Sequence, residues 1–231
     1  MGSTRGIVVA IDGTSGSGKS STSRGVADRL GLRYLDTGAM YRAMTWWMLR
    51  AGVDVNDAQA VAARVDEPLV MPGTEPLGPT INVDGIDVAR AIRAEDVNAA
   101  VSAVSAVPEV RQRMLGLQRT IIEATLAGPG IVVEGRDIAS VVWPEAPVKV
   151  YLSADAAARA ERRAAEEGGN DVEATRESLL ARDRIDSGRE VSPLVRAEGA
   201  VHIDTTELTL DEVVERVIAL VEALDAVGSP A

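Results

Sequence analysis

Apolar runs separated by short polar stretches recur along the chain, and their spacing switches between two periods. Ile7–Asp12, IVVAID, is almost continuously apolar, as expected of a strand covered on both faces of a parallel sheet. From Gly18 to Leu30 the apolar positions Val26 and Leu30 stand four apart. That is helical spacing, and Gly31 supplies the stop. Arg33–Asp36 reads as a second short strand, and Thr37 as the cap of a helix running to about Arg50. Strand, helix, strand, helix is the rhythm of an α/β domain. Between about Val65 and Arg93 the rhythm breaks. Prolines are mixed there with alternating apolar residues, Ile81, Val83, Ile86 and Val88, and Asp84-Gly85 marks a tight turn. The pattern predicts a small antiparallel insertion lying as a flap over the main domain.

Helices resume over Ala94–Ser105 and Pro108–Leu126, the second with proline in its first turn. GIVVEGRD (Gly130–Asp137) is a further buried strand ending in a polar cluster, VKVYL (Val148–Leu152) a fourth strand, and AVHID (Ala200–Asp204) a fifth. Asp155 to about Asp186 reads as helical with a break at Glu166–Asp171, a hairpin able to hinge at Gly168-Gly169. The last helix opens on Thr209 and Glu212, a capping box, and carries the stripe Val213, Val214, Val217, Ile218 and Val221. His202, inside an apolar strand pattern, reads as structural, and Trp46, Trp47 and Trp143 read as packing residues.

Composition narrows the class. With 231 residues, 46% of them apolar, the chain can build one large core. No stretch approaches the roughly 20 apolar residues that span a bilayer, and the N-terminal MGSTRG lacks an apolar leader. Cysteine is absent, which removes disulfides and thiolate metal sites and agrees with a cytoplasmic setting. A net charge of −11 argues against a general nucleic-acid binder, but not against a small anion held by local arginines.

The chemistry sits at the strand ends. Gly13-Thr14-Ser15-Gly16-Ser17-Gly18-Lys19-Ser20, followed by Ser21, matches G-x-x-x-x-G-K-[ST] between a strand and a helix. Glycines there let backbone amides turn toward phosphate oxygens, and the following helix points its positive end at the anion. Lys19 can reach the outer phosphates of a nucleoside triphosphate, and the Ser20 hydroxyl can bind Mg²⁺. A switch GTPase would add an Asn-Lys-x-Asp segment, and none is present. A small phosphotransferase remains. LDTGAMYR (Leu35–Arg42) brings Thr37, Tyr41 and Arg42 beside the loop, a set suited to a second phosphorylated substrate. EGRD (Glu134–Asp137) ends a buried strand, where open α/β sheets bind ligands. Arg136 can clamp a phosphate there, and Asp137 can order Mg²⁺ through water or accept from a base amine. In RDRIDSGREVSPL (Arg182–Leu194), Arg182 and Asp186 share a helix face and Arg189 follows Gly188. Arginines so placed can stabilise a transferring phosphoryl group.

These motifs, together with AIRAEDVNAAVSAVSAVPEVR, VVEGRDIASVVWPEAPVKVYL and HIDTT, make the chain resemble the bacterial cytidylate kinases of the nucleoside monophosphate kinase superfamily over nearly its whole length. The resemblance implies an α/β fold of the P-loop NTPase type. A parallel five-stranded sheet would be flanked by helices, with a small antiparallel NMP-binding insertion and a helical lid. The core would span about 5–64, 94–154 and 187–226, the insertion 65–93 and the lid 155–186. It implies phosphoryl transfer from ATP to CMP or dCMP with Mg²⁺, by a monomer. Thr37, Tyr41, Arg42, Arg136 and Arg189 would hold the CMP phosphate. Ser102, Arg111 and Asp137 would face the cytosine edge, and Arg182 and Asp186 the pentose. Arg159 and Arg163 would lie near ATP or the moving phosphoryl group. Lys19, Arg136, Arg189, Arg159 and Arg163 form the expected catalytic set. Glu134 stands where many relatives carry aspartate, and would approach Mg²⁺ through water.

Overall fold

In the computed structural model, which describes residues 6–167, 171–188 and 194–228, the apolar runs become the layers of one sheet. Strands β1 (Ile7–Gly13), β2 (Arg33–Asp36), β6 (Gly130–Gly135), β7 (Val148–Ser153) and β8 (Val201–Asp204) pair in the order β2-β6-β1-β7-β8. All four pairings are parallel, with Val9 opposite both Val132 and Val148. Alternation along β1 feeds two cores. Val8 and Ala10 join a cluster with Met40, Met44, Met114 and Ile122. Val9 and Ile11 join a second with Val26, Val214 and Val217. These residues belong to α1 (Lys19–Leu30), α2 (Thr37–Arg50), α5 (Pro108–Leu126) and α8 (Leu210–Gly228). Each such aliphatic side chain, fully buried, stabilises the fold by about 1.5–3 kcal/mol. The stripe of α8 is buried throughout, and Thr209 and Glu212 cap it reciprocally.

The insertion is the three-stranded antiparallel sheet β3 (Val70–Pro72), β4 (Ile81–Val83), β5 (Ile86–Asp87). It does not lie over the domain as a flap. Val70, Ile81, Val83 and Val88 are buried in the same cluster as Val8 and Ala10, so the small sheet is part of the core beside α2. At its turn Asp84 has φ 53 and Gly85 φ 81, the double positive that a two-residue hairpin of type I′ requires. Asp84 also accepts from Leu69 N (2.9 Å) and Trp47 Nε1 (2.9 Å). Asp84→Ala removes both bonds and strains the turn. It is expected to cost about 2–4 kcal/mol and to lower Tm by about 5–10 °C, with kinetics unchanged. Calorimetry and a turnover assay check this.

Two elements depart from the sequence reading. A short helix, α3 (Ala58–Ala63), occupies a stretch left unassigned; Asp57 caps it and only its Val61 is buried. Thr37 is not the cap of α2. Asp36 is, accepting from Ala39 N, and Thr37 is the first helical residue. α4 (Glu95–Ala106) and α5 lie within one residue of their expected limits, and α6 (Ala156–Glu167) and α7 (Val172–Ser187) form the expected hairpin. Gly168-Gly169, the expected hinge, lies outside the described residues. Trp46 and Trp47 pack on the core edge under Arg50 and Arg64, and Trp143 also packs there. His202 is exposed on the edge strand β8, bonded to Ser153 Oγ.

Candidate functional site

The loop from Gly13 to Gly18 turns β1 into α1. A side chain at Gly13 would place its Cβ 2.0 Å from the Leu152 carbonyl oxygen on β7, so close approach of the backbone demands glycine here. α1 starts without a side-chain cap, which leaves its first amides for an anion. Ser15, Gly16, Gly18, Lys19, Ser20 and Ser21 line one wall of a cleft. Lys19 Nζ donates to Thr14 O (2.6 Å), as does Ser17 Oγ (2.9 Å). Burial, and then the charge of Arg136, lowers the Lys19 ammonium to about 7.

Arg42, Glu134, Arg136, Arg162 and Arg163 also line the cleft. A second cavity opens from it, lined by Thr37, Tyr41, Ser102, Arg111 and Asp137 among others, and the two share Gly38, Arg42, Gly135 and Arg136. Arg42 is held by Asn98 Oδ1 (2.5 Å) and Ile92 O (3.2 Å). Arg136 Nη1 donates to Gly13 O (3.0 Å). Thr37 Oγ1 donates to Glu134 O (2.6 Å). Arg111 forms a buried ion pair with Asp137, donates to Ser105 O (3.2 Å) and lies over the Tyr41 ring.

Glu134 is buried, and Tyr34 donates its hydroxyl to Oε1 (2.6 Å). Oε2 makes no hydrogen bond of normal geometry among the described residues, though the Ser20 hydroxyl beside it favours the ionised form. Burial and the neighbouring Asp36 charge raise its carboxyl to about 7, against an ordinary value of 4.5. A raised carboxyl pKa stabilises the fold fully below the ordinary value, and that contribution is lost as pH rises through 7. Asp12, raised to about 6 by burial, acts in the same direction. Without nucleotide, Tm is therefore expected to fall between about pH 5 and 7. Glu134→Gln should make that slope shallower and be the more stable protein at pH 8 by a few degrees. A slope identical to that of the wild type would refute the assignment.

Arg159 and Arg163 part company. Arg163 lines the cleft. Arg159 is outside that lining, buried between α6 and the loop, with Nη1 on Ser15 O (3.0 Å) and an ion pair to Asp183. The side chains of Arg182 and Asp186, and Arg189 entirely, lie outside the described residues. Sequence reading missed Asp12, whose carboxylate accepts from Ile138 N (2.9 Å) and Ala139 N (2.8 Å). It thereby anchors the π-helical turn Ile138–Val142 just after Arg136 and Asp137. An aspartate closing an apolar strand was the available signal. Arg162 was missed as well. It donates to Thr205 Oγ1 (3.0 Å) and Thr205 O (2.6 Å).

The family model described as cytidylate kinase matches residues 9–223. Cytidylate kinases of Streptomyces avermitilis (56% identical over 216 residues, 94% of this chain and 93% of the relative) and Nocardia farcinica (51% over 227 residues, 96% and 97%) are similar. That of Streptomyces coelicolor is 58% identical over 216 residues, 94% of this chain and 93% of the relative. Among solved structures, a gluconokinase from Sinorhizobium meliloti shares the fold, with a TM-score of 0.50 at 18% identity, covering 96% of this chain and 94% of that one.

Proposed function

The chain belongs to the cytidylate kinase family, and from that premise we propose how its cleft moves a phosphoryl group from ATP to CMP or dCMP. ATP lies along the loop wall with its outer phosphates toward Lys19. CMP or dCMP enters the second cavity, its phosphate toward Arg42 and Arg136 and its base toward Ser102, Arg111 and Asp137. The observation that carries this is the shared border. The two compartments meet at Arg42 and Arg136, where a phosphoryl group passing between them would be flanked by guanidinium groups. The attacking oxygen belongs to a phosphate and is already anionic, so no general base is needed. Positioning and charge neutralisation supply the acceleration.

The residues fit Mg²⁺ held with ATP. Ser20 and Glu134 offer oxygen donors of the kind the ion prefers, and Glu134 Oε2 is buried without a normal bond. Among the described residues no three His, Cys, Asp or Glu side chains could hold a metal together, which leaves the remaining positions to phosphate oxygens and water. Bound there, the ion would neutralise charge on the phosphates.

No helix among the described residues is long and apolar enough to cross a membrane, and we take the enzyme to act as a cytoplasmic monomer. ADP release measured with CMP, dCMP, UMP, AMP and shikimate as acceptors tests the reading. CMP and dCMP should be the best acceptors; ADP release independent of CMP would overturn it.

A further inference from the structure

Three segments far apart in sequence meet at Ser15. Asp183, on α7, accepts from Ser15 N (3.2 Å), and Arg159, on α6, donates to Ser15 O (3.0 Å). Arg159 and Asp183 are paired with each other, their side chains 6% and 14% exposed. The backbone of α6 also abuts the loop, since a Cβ at Gly16 would lie 3.2 Å from Arg159 Cβ. A pair that merely joined two adjacent helices would leave the loop alone. Here each partner makes a further bond to the same loop residue, Asp183 to its N–H and Arg159 to its C=O. Burying an ion pair is costly unless additional hydrogen bonds help to satisfy it; Ser15 supplies one to each partner, while Arg159 Nε is left without one among the described residues.

The clasp has a geometric effect. Arg159, Arg162 and Arg163 stand at i, i+3 and i+4, on one face of α6. Fixing Arg159 against the loop therefore fixes the azimuth of α6 and brings Arg162 and Arg163 to the cleft wall. It also sets the orientation of the two peptide units that flank Ser15, the N–H of the first toward α7 and the C=O of the second toward α6. The next amides of the loop are aimed by that choice.

We infer that Asp183 is a positioning residue for the donor site: it clasps the α6–α7 hairpin to the phosphate loop through Ser15 and Arg159, and so holds Arg163 toward the ATP phosphates, beside Arg162, which Thr205 also holds. This rests on the reading of the cleft as an ATP site. When the clasp opens, water reaches the donor. The γ-phosphoryl group then passes to a water oxygen as its bond to ADP breaks, giving ADP and inorganic phosphate in place of CDP.

The test is Asp183→Ala, assayed for CDP, ADP and inorganic phosphate together. KM for ATP should rise about tenfold, and the share of ATP consumed that appears as inorganic phosphate should rise with it. Asp183→Asn, which keeps an acceptor for Ser15 but loses the charge, should fall between. Arg159→Met combined with Asp183→Ala should be no worse than either change alone, because both open one clasp. An unaltered KM for ATP with an unaltered phosphate share, or single effects that multiply in the double variant, overturns the inference. If Asp183→Ala does not fold by circular dichroism, Asp183→Asn carries the same comparison. Wild-type protein without CMP-dependent ADP release would remove the reading beneath; an active wild type with unaltered variants removes only the clasp.

Discussion

Replacing Lys19 by alanine is expected to lower kcat by about three orders of magnitude, roughly 4 kcal/mol of lost transition-state stabilisation, while the protein stays folded. The fold does not depend on this side chain. Its ammonium is buried, and burial together with Arg136 has already pulled it down to about 7, so removing it relieves a cost of desolvation. In the proposed mechanism catalysis does depend on it, because Lys19 is the cation that the phosphate loop presents to the cleft. The same depressed value has a consequence for wild-type protein. Near pH 7 the group is only partly protonated, and an incoming polyphosphate favours the charged form. ATP binding should therefore take up protons, and affinity for ATP should fall as pH rises above about 7. Glu134 sets the opposite limb: its ionised form, suited to a metal–nucleotide complex, is lost below about 7. The two groups titrate together, and the pH–rate profile should be a bell centred near neutrality. Calorimetry in buffers of different ionisation enthalpy measures the proton uptake. Glu134 should release protons as Lys19 takes them up, so the readout is the difference in net uptake between wild type and Lys19→Ala; no difference would refute the role.

Arg136→Ala is expected to lower kcat/KM for CMP by about 10²–10³. Arg136 stands on the border of the two compartments, with Nη1 on the carbonyl of Gly13, so under the proposed mechanism the variant would lose a contact to both substrates at once. A second readout separates this from a general disturbance. The positive charge of Arg136 is one cause of the low Lys19 value. Removing it should raise that value and move the alkaline limb of the bell to higher pH. A smaller rate with an unmoved limb would mean that Arg136 acts elsewhere.

How much of this was legible in the sequence depended on range. β1 and β6 could be read because strands covered on both faces must be apolar almost throughout. The loop could be read because few residue types permit its backbone, and the turn at Asp84-Gly85 for the same reason. α3 could not, since a single buried residue, Val61, leaves no periodicity. Thr37 was misread because Asp36 offers the better cap one residue earlier. The largest gaps are contacts between distant segments. Nothing local in Asp183 marks it as the acceptor for Ser15, 168 residues away, and the place of Asp12 at the end of an apolar strand marks it as unusual without naming Ile138 and Ala139 as its partners. Thr37, Tyr41, Arg42, Ser102, Arg111, Arg136 and Asp137 gather around one cavity, whereas Arg159 is enclosed by the clasp.

The small sheet shares its buried cluster with β1, whereas the buried Ala160, Ala164 and Leu179 of the hairpin belong to neither large cluster. Local opening follows such partitions. In deuterated solvent, amides of β4 should exchange only as slowly as whole-chain unfolding allows, alongside those of β1. Amides of α6 and α7 should exchange through a separate, cheaper opening that nucleotide suppresses. The acceptor half of the enzyme would then be rigid before any substrate arrives, with the breathing confined to the donor half.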